Sequence, residues 1–142
     1  MPIFRPGKPW RRLRYTSTPA AISSLATITW HAADSDGDWS TSDLTTTVVG
    51  LSGLYLITGG YARSSSSGSS TVVVNLLING VFVRGGRAPN VNAIASDANA
   101  SVQRQLVAGD TITMKAQSGT GAVVLPNACG LEITRIGPVR WT

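Results

Sequence analysis

The residues with the clearest potential for chemistry are a cluster of aspartates near the first quarter of the chain. Asp34, Asp36 and Asp38 alternate with small residues, as oxygen ligands do in calcium-binding loops. In the EF-hand order glycine stands sixth and a bidentate glutamate twelfth, whereas here Gly37 is fourth and Thr45 is twelfth. The sequence therefore predicts a turn with solvated carboxylates, and a calcium loop is the alternative.

The chain has one histidine, His31, which follows Trp30 in a predicted strand. A histidine base needs a nearby nucleophile and an acid that orients it, and no serine here lies in a nucleophile-elbow motif. Two carboxylates could form a glycosidase pair, but the closest acids share one loop. Phosphate-binding glycine loops and zinc-ligand spacings are also missing from the sequence. We predict that the protein is not an enzyme and uses no cofactor or metal.

The first 14 residues contain all of the net charge. They hold five cations and no acid, whereas residues 15–142 hold seven Lys/Arg and seven Asp/Glu. Pro2, Pro6 and Pro9 interrupt this segment, and each proline favours extended backbone and removes a hydrogen-bond donor. The pattern predicts an extended basic arm on a neutral folded body.

The arm also offers aromatic anchors, including Trp10, so we expect it to dock on an acidic protein surface. Nucleic acid is the less favoured partner, because the body has no matching basic face. Arg140 and Trp141 follow the last predicted strand and are expected to join the same surface. The candidate partner-binding residues are Arg5, Lys8, Trp10, Arg11, Arg12, Arg14, Arg140 and Trp141.

The composition indicates one domain that associates with itself. The chain has 142 residues, of which 13% are charged, against about 25% in an ordinary soluble protein. Interfaces between identical subunits are depleted in charge, so we expect an oligomer, with a secreted β-protein rich in hydroxyl groups as the alternative. Cys129 is the only cysteine, which excludes an internal disulfide and predicts a small core residue.

Two kinds of apolar segment are missing from the sequence. The N-terminus lacks the apolar stretch of a signal peptide, and no run approaches the ~20 apolar residues of a membrane span. We therefore expect no membrane partner and no secretion.

Short segments rich in β-branched and aromatic residues recur between turn signals from residue 25 onward. No segment has a helical repeat, and about eight strands with regular turns are typical of a sandwich or jelly roll. Asn79-Gly80 predicts a type I′ hairpin, and Gly109-Asp110 is expected to connect a second hairpin. The predicted strands cover residues 25–30, 44–49, 53–58, 71–78, 81–83, 101–107, 111–116 and 131–136.

The 71–78 strand is apolar on both faces. Val72, Val74, Leu76 and Ile78 alternate on one face, which suits a sandwich core, and Val73 and Leu77 lie on the other. An exposed strand of this kind invites aggregation, so we expect a subunit interface to cover the second face.

Four motifs occur in the order found in the C1q/TNF-like jelly roll, and together they span residues 25–137. They are Gly53-Leu54-Tyr55, a Val-rich strand ending in Asn79-Gly80, the turn of residues 106–110 before an apolar strand, and the closing Gly130-Leu131. The sequence departs from the family at Ala128-Cys129-Gly130, where many members have Phe-x-Gly, and it has no collagen stalk. The resemblance implies an antiparallel jelly-roll sandwich, a compact homotrimer and both chain ends at one pole.

The chain also resembles bacteriophage virion proteins that use this fold, with a short basic arm in place of a stalk. The expected organisation is an N-terminal arm over residues 1–24, a jelly roll over 25–137 and a C-terminal tail over 138–142. The resemblance implies a structural protein made in the host cytoplasm. It would decorate the capsid surface as a homotrimer bound through its arm to the major capsid protein or another virion protein. The alternative is the receptor- or glycan-binding tip of a tail fibre or spike. Deletion of residues 2–14 is then expected to leave a folded trimer that no longer binds particles.

Overall fold

The computed structural model describes residues 9–37, 39, 42–64, 71–88, 96–119 and 121–138, and this part of the chain is almost entirely β-structure. No helix in it is long and apolar enough to cross a membrane. The strands are β1 (Trp10–Arg14), β2 (Ala26–Thr27), β3 (Ala32–Asp36), β4 (Thr47–Val48), β5 (Gly53–Arg63), β6 (Val73–Ile78), β7 (Val81–Arg87), β8 (Ser96–Leu106), β9 (Thr111–Gln117) and β10 (Gly130–Gly137). A single 3-10 turn, Pro126–Ala128, precedes β10.

The strands form two antiparallel sheets that pack face to face. Sheet A has the order β3-β1-β10-β5-β8, and sheet B has the order β2-β9-β6-β7, with β4 also paired to β9. Apart from the β6–β7 hairpin, neighbouring strands are not consecutive in the sequence, as expected for a jelly roll rather than a simple meander. The predicted all-β sandwich is confirmed.

The core lies between the sheets and is built by alternation of buried and outward residues along most of each long strand. In β5, Tyr55, Ile57 and Tyr61 are completely buried, as are Leu76 and Met114 from sheet B. The two sheets approach closely at β5, because a Cβ at Gly59 would lie 2.7 Å from Met114 Sδ and 2.8 Å from Leu76 Cδ2. This alternation leaves one face of sheet A directed away from the core.

The hairpin between β6 and β7 is the predicted one. Asn79 has φ 51° and Gly80 has φ 76°, the left-handed conformations that a type I′ turn requires at both central positions. The strands pair from Ile78 opposite Val81, with a bulge between Leu76 and Leu77.

The second predicted hairpin is wrong. β8 pairs with β5 in sheet A, whereas β9 pairs with β6 in sheet B, so the turn at Gly109-Asp110 carries the chain from one sheet to the other. Asp110 and Gly109 still make a tight turn, because the Asp110 N–H donates to the Val107 carbonyl and Gly109 has φ 99°. The turn residues therefore predicted a turn correctly but not which strands pair.

The boundary predicted between arm and body differs from the structure. Residues Trp10–Arg14 form β1, which pairs antiparallel with β10 on one side and with β3 on the other. Leu13 and Tyr15 belong to the hydrophobic core. The segment is extended, as expected, but from Trp10 onward it is an interior strand of the domain rather than an arm outside it.

The second face of the 71–78 strand is buried only in part within a single chain. Val72, Val74 and Leu76 are in the core, and Ile78 packs against it, as expected. Leu77, on the other face, is already only 8% exposed within a single chain. Leu77 follows a bulge and lies opposite Phe82, whereas Val73 is partly exposed, so an interface over this face stays a prediction.

Candidate functional site

Both ends of the described chain leave the sandwich at the same pole. Trp10 at the start of β1 lies opposite Thr134 near the end of β10, and the Arg135 N–H donates to the Pro9 carbonyl at 2.9 Å. Gly137, the last residue of β10, lies opposite Leu54 near the start of β5. We call this pole the base and the opposite pole, where β5 ends, the apex.

A network of hydrogen bonds fixes the turns of the base. Asn79 Nδ2 donates to Asp110 Oδ1 at 3.0 Å, and Asn79 Oδ1 accepts the Thr111 N–H at 2.9 Å. Asp110 Oδ2 accepts the Val107 N–H at 2.9 Å, and the Ala108 N–H donates to Ser52 Oγ at 3.0 Å. The β6–β7 turn, the β8–β9 turn and the loop before β5 are thereby joined into one surface.

This surface carries exposed apolar side chains. Leu51 is 44% exposed, Val107 50% and Val81 64%, and Trp10 at the edge of the base is 38% exposed. Exposed apolar residues that lie singly are ordinary, but several at one pole are typical of an interaction surface. The base therefore combines the chain ends with an apolar contact area.

The predicted partner-binding residues of β1 divide between its two faces. Trp10, Arg12 and Arg14 point outward from sheet A, and all three are at least partly exposed, whereas Arg11 points inward and is 7% exposed. The guanidinium groups of Arg12 and Arg14 lie near Glu132 and Asp34, at 3.5 and 2.8 Å. Arg5, Lys8, Arg140 and Trp141 lie outside the described residues.

Arg11 is a structural residue of the domain. Its Nε donates to Thr47 Oγ1 at 3.1 Å, and its Nη2 donates to the Asp43 carbonyl oxygen at 2.6 Å. Burial lowers the pKa of the Arg11 guanidinium below its ordinary value, and the nearby Asp43 carboxylate opposes that shift. Because its donors are bound inside the chain, Arg11 is not available to anchor a partner in the way that was predicted from its charge.

Replacing Arg11 with alanine is expected to lower the free energy of unfolding by about 1–3 kcal/mol, because Thr47 and the Asp43 carbonyl lose a buried charged donor. The matched change Arg12→Ala removes an exposed ion pair whose side chains are 54% and 59% exposed, and such pairs contribute about 0–1 kcal/mol. Urea denaturation of both variants measures the difference. Equal losses would show that Arg11 contributes no more than a surface arginine does.

The outward face of sheet A is low in charge over β5 and β8. We call this area the open face; its cross-strand pairs include Leu56 with Gln103 and Thr58 with Ser101. Leu54, Leu56 and Thr58 are only partly buried, and the described strands of sheet B lie on the other side of sheet A. Charge is concentrated instead over β1, β3 and β10. A partly apolar, uncharged sheet face of this kind suits contact with another protein.

The aspartate segment forms a strand edge as well as a turn. Asp34 and Asp36 lie in β3, and Asp34 Oδ2 accepts a hydrogen bond from Arg14 Nε at 2.8 Å. This bond and the Arg14 charge lower the pKa of Asp34 below its ordinary value. Asp38 lies outside the described residues. Asp34 is therefore exposed, as predicted, and paired with a cation, but it lies in a strand and not in a turn.

His31 makes local structural contacts. Its Nδ1 accepts the Thr16 N–H at 3.2 Å, and its ring lies edge-on to Tyr15 with ring centres 4.8 Å apart. Tyr15 in turn shares a hydrogen bond of 2.9 Å with Tyr61, and burial raises the pKa of both tyrosines. Among the residues that the structure describes, no group of three or more His, Cys, Asp or Glu could hold a metal ion.

Two buried residues near the apex, Cys129 and Arg63, are not among the functional residues predicted from the sequence. Cys129, predicted as a core residue, is buried, and its burial raises the pKa of the thiol to about 11. Arg63 is completely buried at the end of β5. The alternation of β5 could have predicted this burial. Residues 55, 57, 59 and 61 face the core, and the same alternation directs residue 63 toward it.

Comparison with known proteins identifies the architecture. No family model and no curated protein sequence matches the chain. Solved structures similar to it include murine APRIL at pH 5.0, with a TM-score of 0.71 and 13% identity over 91% of this chain and 99% of that one. Eiger TNF from S. frugiperda has a TM-score of 0.67 and 12% identity over 96% of this chain and 97% of that one.

GITRL from bushbaby is also similar, with a TM-score of 0.60 and 14% identity over 95% of this chain and 99% of that one. At these identities the likeness concerns the backbone, and it covers nearly the whole of each chain. The two antiparallel sheets agree with it. The protein therefore has an all-β jelly-roll fold of the TNF/C1q-like type.

Proposed function

We propose that this chain is a non-enzymatic structural protein that forms a homotrimer and is attached to a larger assembly through its base. The observation that carries the proposal is the convergence of both described chain ends on one pole that also exposes apolar side chains. A module built in this way is held at one end and presents the other end to solvent.

The open face supports self-association. Leu54 and Leu56 lie on it among uncharged neighbours, and the cores of homo-oligomeric interfaces are depleted in charge in the same way. Three copies can bring their open faces together around an axis that runs from base to apex. All three bases then lie on one side, which suits attachment to a surface. The TNF/C1q-like fold agrees with three copies, but fold alone does not assign function.

Attachment to a bacteriophage capsid is the specific form of the proposal. Residues 1–8 add Arg5 and Lys8 without any acid, and they directly precede Pro9 in the sequence. Trp10 and Arg12 lie on the adjoining strand, so basic and aromatic groups are available near the same pole. Three bases in one trimer act together, and linked contacts of this kind strengthen binding by roughly 10²–10⁴-fold. The virion surface is the proposed location, and the major capsid protein or another virion protein is the partner.

Placing a charge on the open face is expected to separate the subunits. Leu56→Asp puts a carboxylate in the centre of that face, where three copies would bring like charges together in a desolvated interface. Phe82→Asp is the matched control, since Phe82 is an exposed apolar residue of sheet B. Native mass spectrometry should record three chains for the unaltered protein and for Phe82→Asp, and one chain for Leu56→Asp. A soluble monomer of the unaltered protein at micromolar concentration would contradict the proposal.

A second candidate function, binding of a receptor or glycan, is favoured by the loops that gather at the apex. Residues 63–64, 118–119 and 123–125 approach one another there, as the Ser64 N–H donates to the Val123 carbonyl at 2.8 Å. Co-purification with the major capsid protein in a fixed ratio supports capsid decoration. Glycan binding that is lost when the apical loops are altered supports the tip of a fibre or spike.

A further inference from the structure

The apex contains a buried arginine, Arg63, that forms no ion pair with any described acidic side chain. Arg63 is the last residue of β5, faces the space between the sheets and is 0% exposed. Its Nη1 donates to the Ser118 carbonyl oxygen at 2.8 Å. Its Nε and Nη2 have no hydrogen-bond partner among the described residues. Buried polar atoms are nearly always paired, so two unpaired nitrogens on one cation call for a physical explanation.

A neutral acceptor at Nε and Nη2 would leave the charge of Arg63 without a counter-charge. The ion pairs among the described residues are Arg12–Glu132 and Arg14–Asp34, and neither includes Arg63. Arginine is not deprotonated in proteins, so it cannot relieve its burial by losing the charge. A buried charge without a counter-charge costs several kcal/mol. One carbonyl contact supplies hydrogen bonding but no negative charge.

The two unpaired nitrogens also specify the shape of the partner. Nε and Nη2 form one edge of the planar guanidinium, and their N–H groups point in parallel. This edge matches two oxygens of a carboxylate or another oxyanion in a bidentate pair, which a halide or a water molecule cannot reproduce.

We propose that the free edge of Arg63 binds a small planar oxyanion, with a carboxylate as the preferred group, inside the apex of the domain. An oxyanion that presents two oxygens to this edge satisfies both nitrogens at once.

The carboxylate has two sources, a free small anion and the acid group of a sugar. Both present the same pair of oxygens to Arg63. They differ in size, because an acidic sugar needs more space around Arg63 than a small anion does. The site is independent of the proposed trimer, since all the described groups that form it belong to one chain.

The test measures thermal stability at constant ionic strength while acetate, nitrate or D-glucuronate replaces chloride. Acetate and nitrate should raise the Tm of the unaltered protein saturably by about 3 °C or more relative to chloride, as a ligand that binds only the folded state does. Arg63→Lys keeps the charge but removes the planar edge, and Arg63→Met removes both, so neither should respond. Arg104→Met, an exposed arginine of β8, should respond like the unaltered protein.

A second measurement does not depend on stability. The Nε–H resonance of Arg63 in a ¹⁵N-edited NMR spectrum should shift on titration with acetate and should not shift with chloride. A rise in Tm at lower concentrations of glucuronate than of acetate identifies an acidic sugar as the source of the carboxylate. A rise in Tm with acetate and nitrate but not with glucuronate identifies a free anion. If the unaltered protein shows no anion-specific change, or if Arg63→Lys and Arg63→Met respond as it does, the proposal is wrong.

Discussion

Removal of residues 2–14 is expected to abolish cooperative folding of the domain. The deletion removes β1, which lies between β3 and β10 in sheet A and pairs with both. It also removes Leu13, which is 1% exposed, and Arg11, which binds Thr47 and Asp43. Loss of a buried leucine side chain alone costs about 2–5 kcal/mol, and a whole domain is stable by only about 5–15 kcal/mol.

Deletion of residues 2–8 is the matched control. This shorter deletion keeps Pro9 and the whole of β1, so every strand pair of sheet A is retained. We expect the shorter deletion to unfold cooperatively in circular dichroism, and the longer one to show no cooperative transition. A longer deletion that melts like the unaltered protein would mean that β1 is dispensable and that the arm extends to residue 14.

Comparison of the two deletions separates the role of residues 2–14 in folding from their role in attachment to a partner. The sequence predicts that a chain lacking residues 2–14 remains a folded trimer and only loses its partner, and the position of β1 contradicts that expectation. A deletion of residues 2–8, combined with Arg12→Ser, removes cations while keeping the buried groups of β1. Binding of that variant to particles therefore tests the attachment role without unfolding the domain.

Replacing Gly86 with alanine is expected to lower stability by about 3 kcal/mol, the upper end of the usual cost of overpacking. Gly86 lies in β7 at the edge of sheet B, where the backbone of Asn99 in β8 comes directly against it. A Cβ at Gly86 would lie 2.6 Å from the Asn99 carbonyl carbon and closer still to its oxygen. The Asn99 backbone cannot rotate away from the added methyl group as a flexible side chain could. The edges of β7 and β8 must therefore move apart.

Gly137→Ala is the control for this substitution. A Cβ at Gly137 in β10 has Leu54 Cβ as its nearest neighbour, at 3.8 Å, which is ordinary contact. Thermal denaturation should give a Tm lower by roughly 10 °C for Gly86→Ala and a Tm within about 2 °C of the unaltered protein for Gly137→Ala. Amide exchange should also increase at Asn99 and its neighbours in β8. Equal Tm values for both variants would show that the contact of β7 with β8 does not hold the sheets together at this edge.

Local patterns in the sequence determined the class of fold and some individual positions. Alternation of apolar residues fixes which side chains of β5 and β6 face the core, because successive side chains in a strand point to opposite sides. Asn79-Gly80 fixes a tight turn, since it supplies two residues that accept positive φ. The same alternation places Arg63 in the interior. These features depend on neighbouring residues only, so a single sequence contains them.

The tertiary structure alone decided which strands pair and what the charged residues of β1 do. The turn at Gly109-Asp110 is compatible with a hairpin, but hydrogen bonds to β5 and β6 place β8 and β9 in different sheets. Trp10–Arg14 has the composition of a basic arm, yet it becomes an interior strand because β3 and β10 supply partners for both of its edges. Arg11 is buried because Thr47 and the Asp43 carbonyl, more than 30 residues away in the chain, accept its hydrogen bonds. Such outcomes depend on contacts between distant segments, which charge and local pattern do not determine.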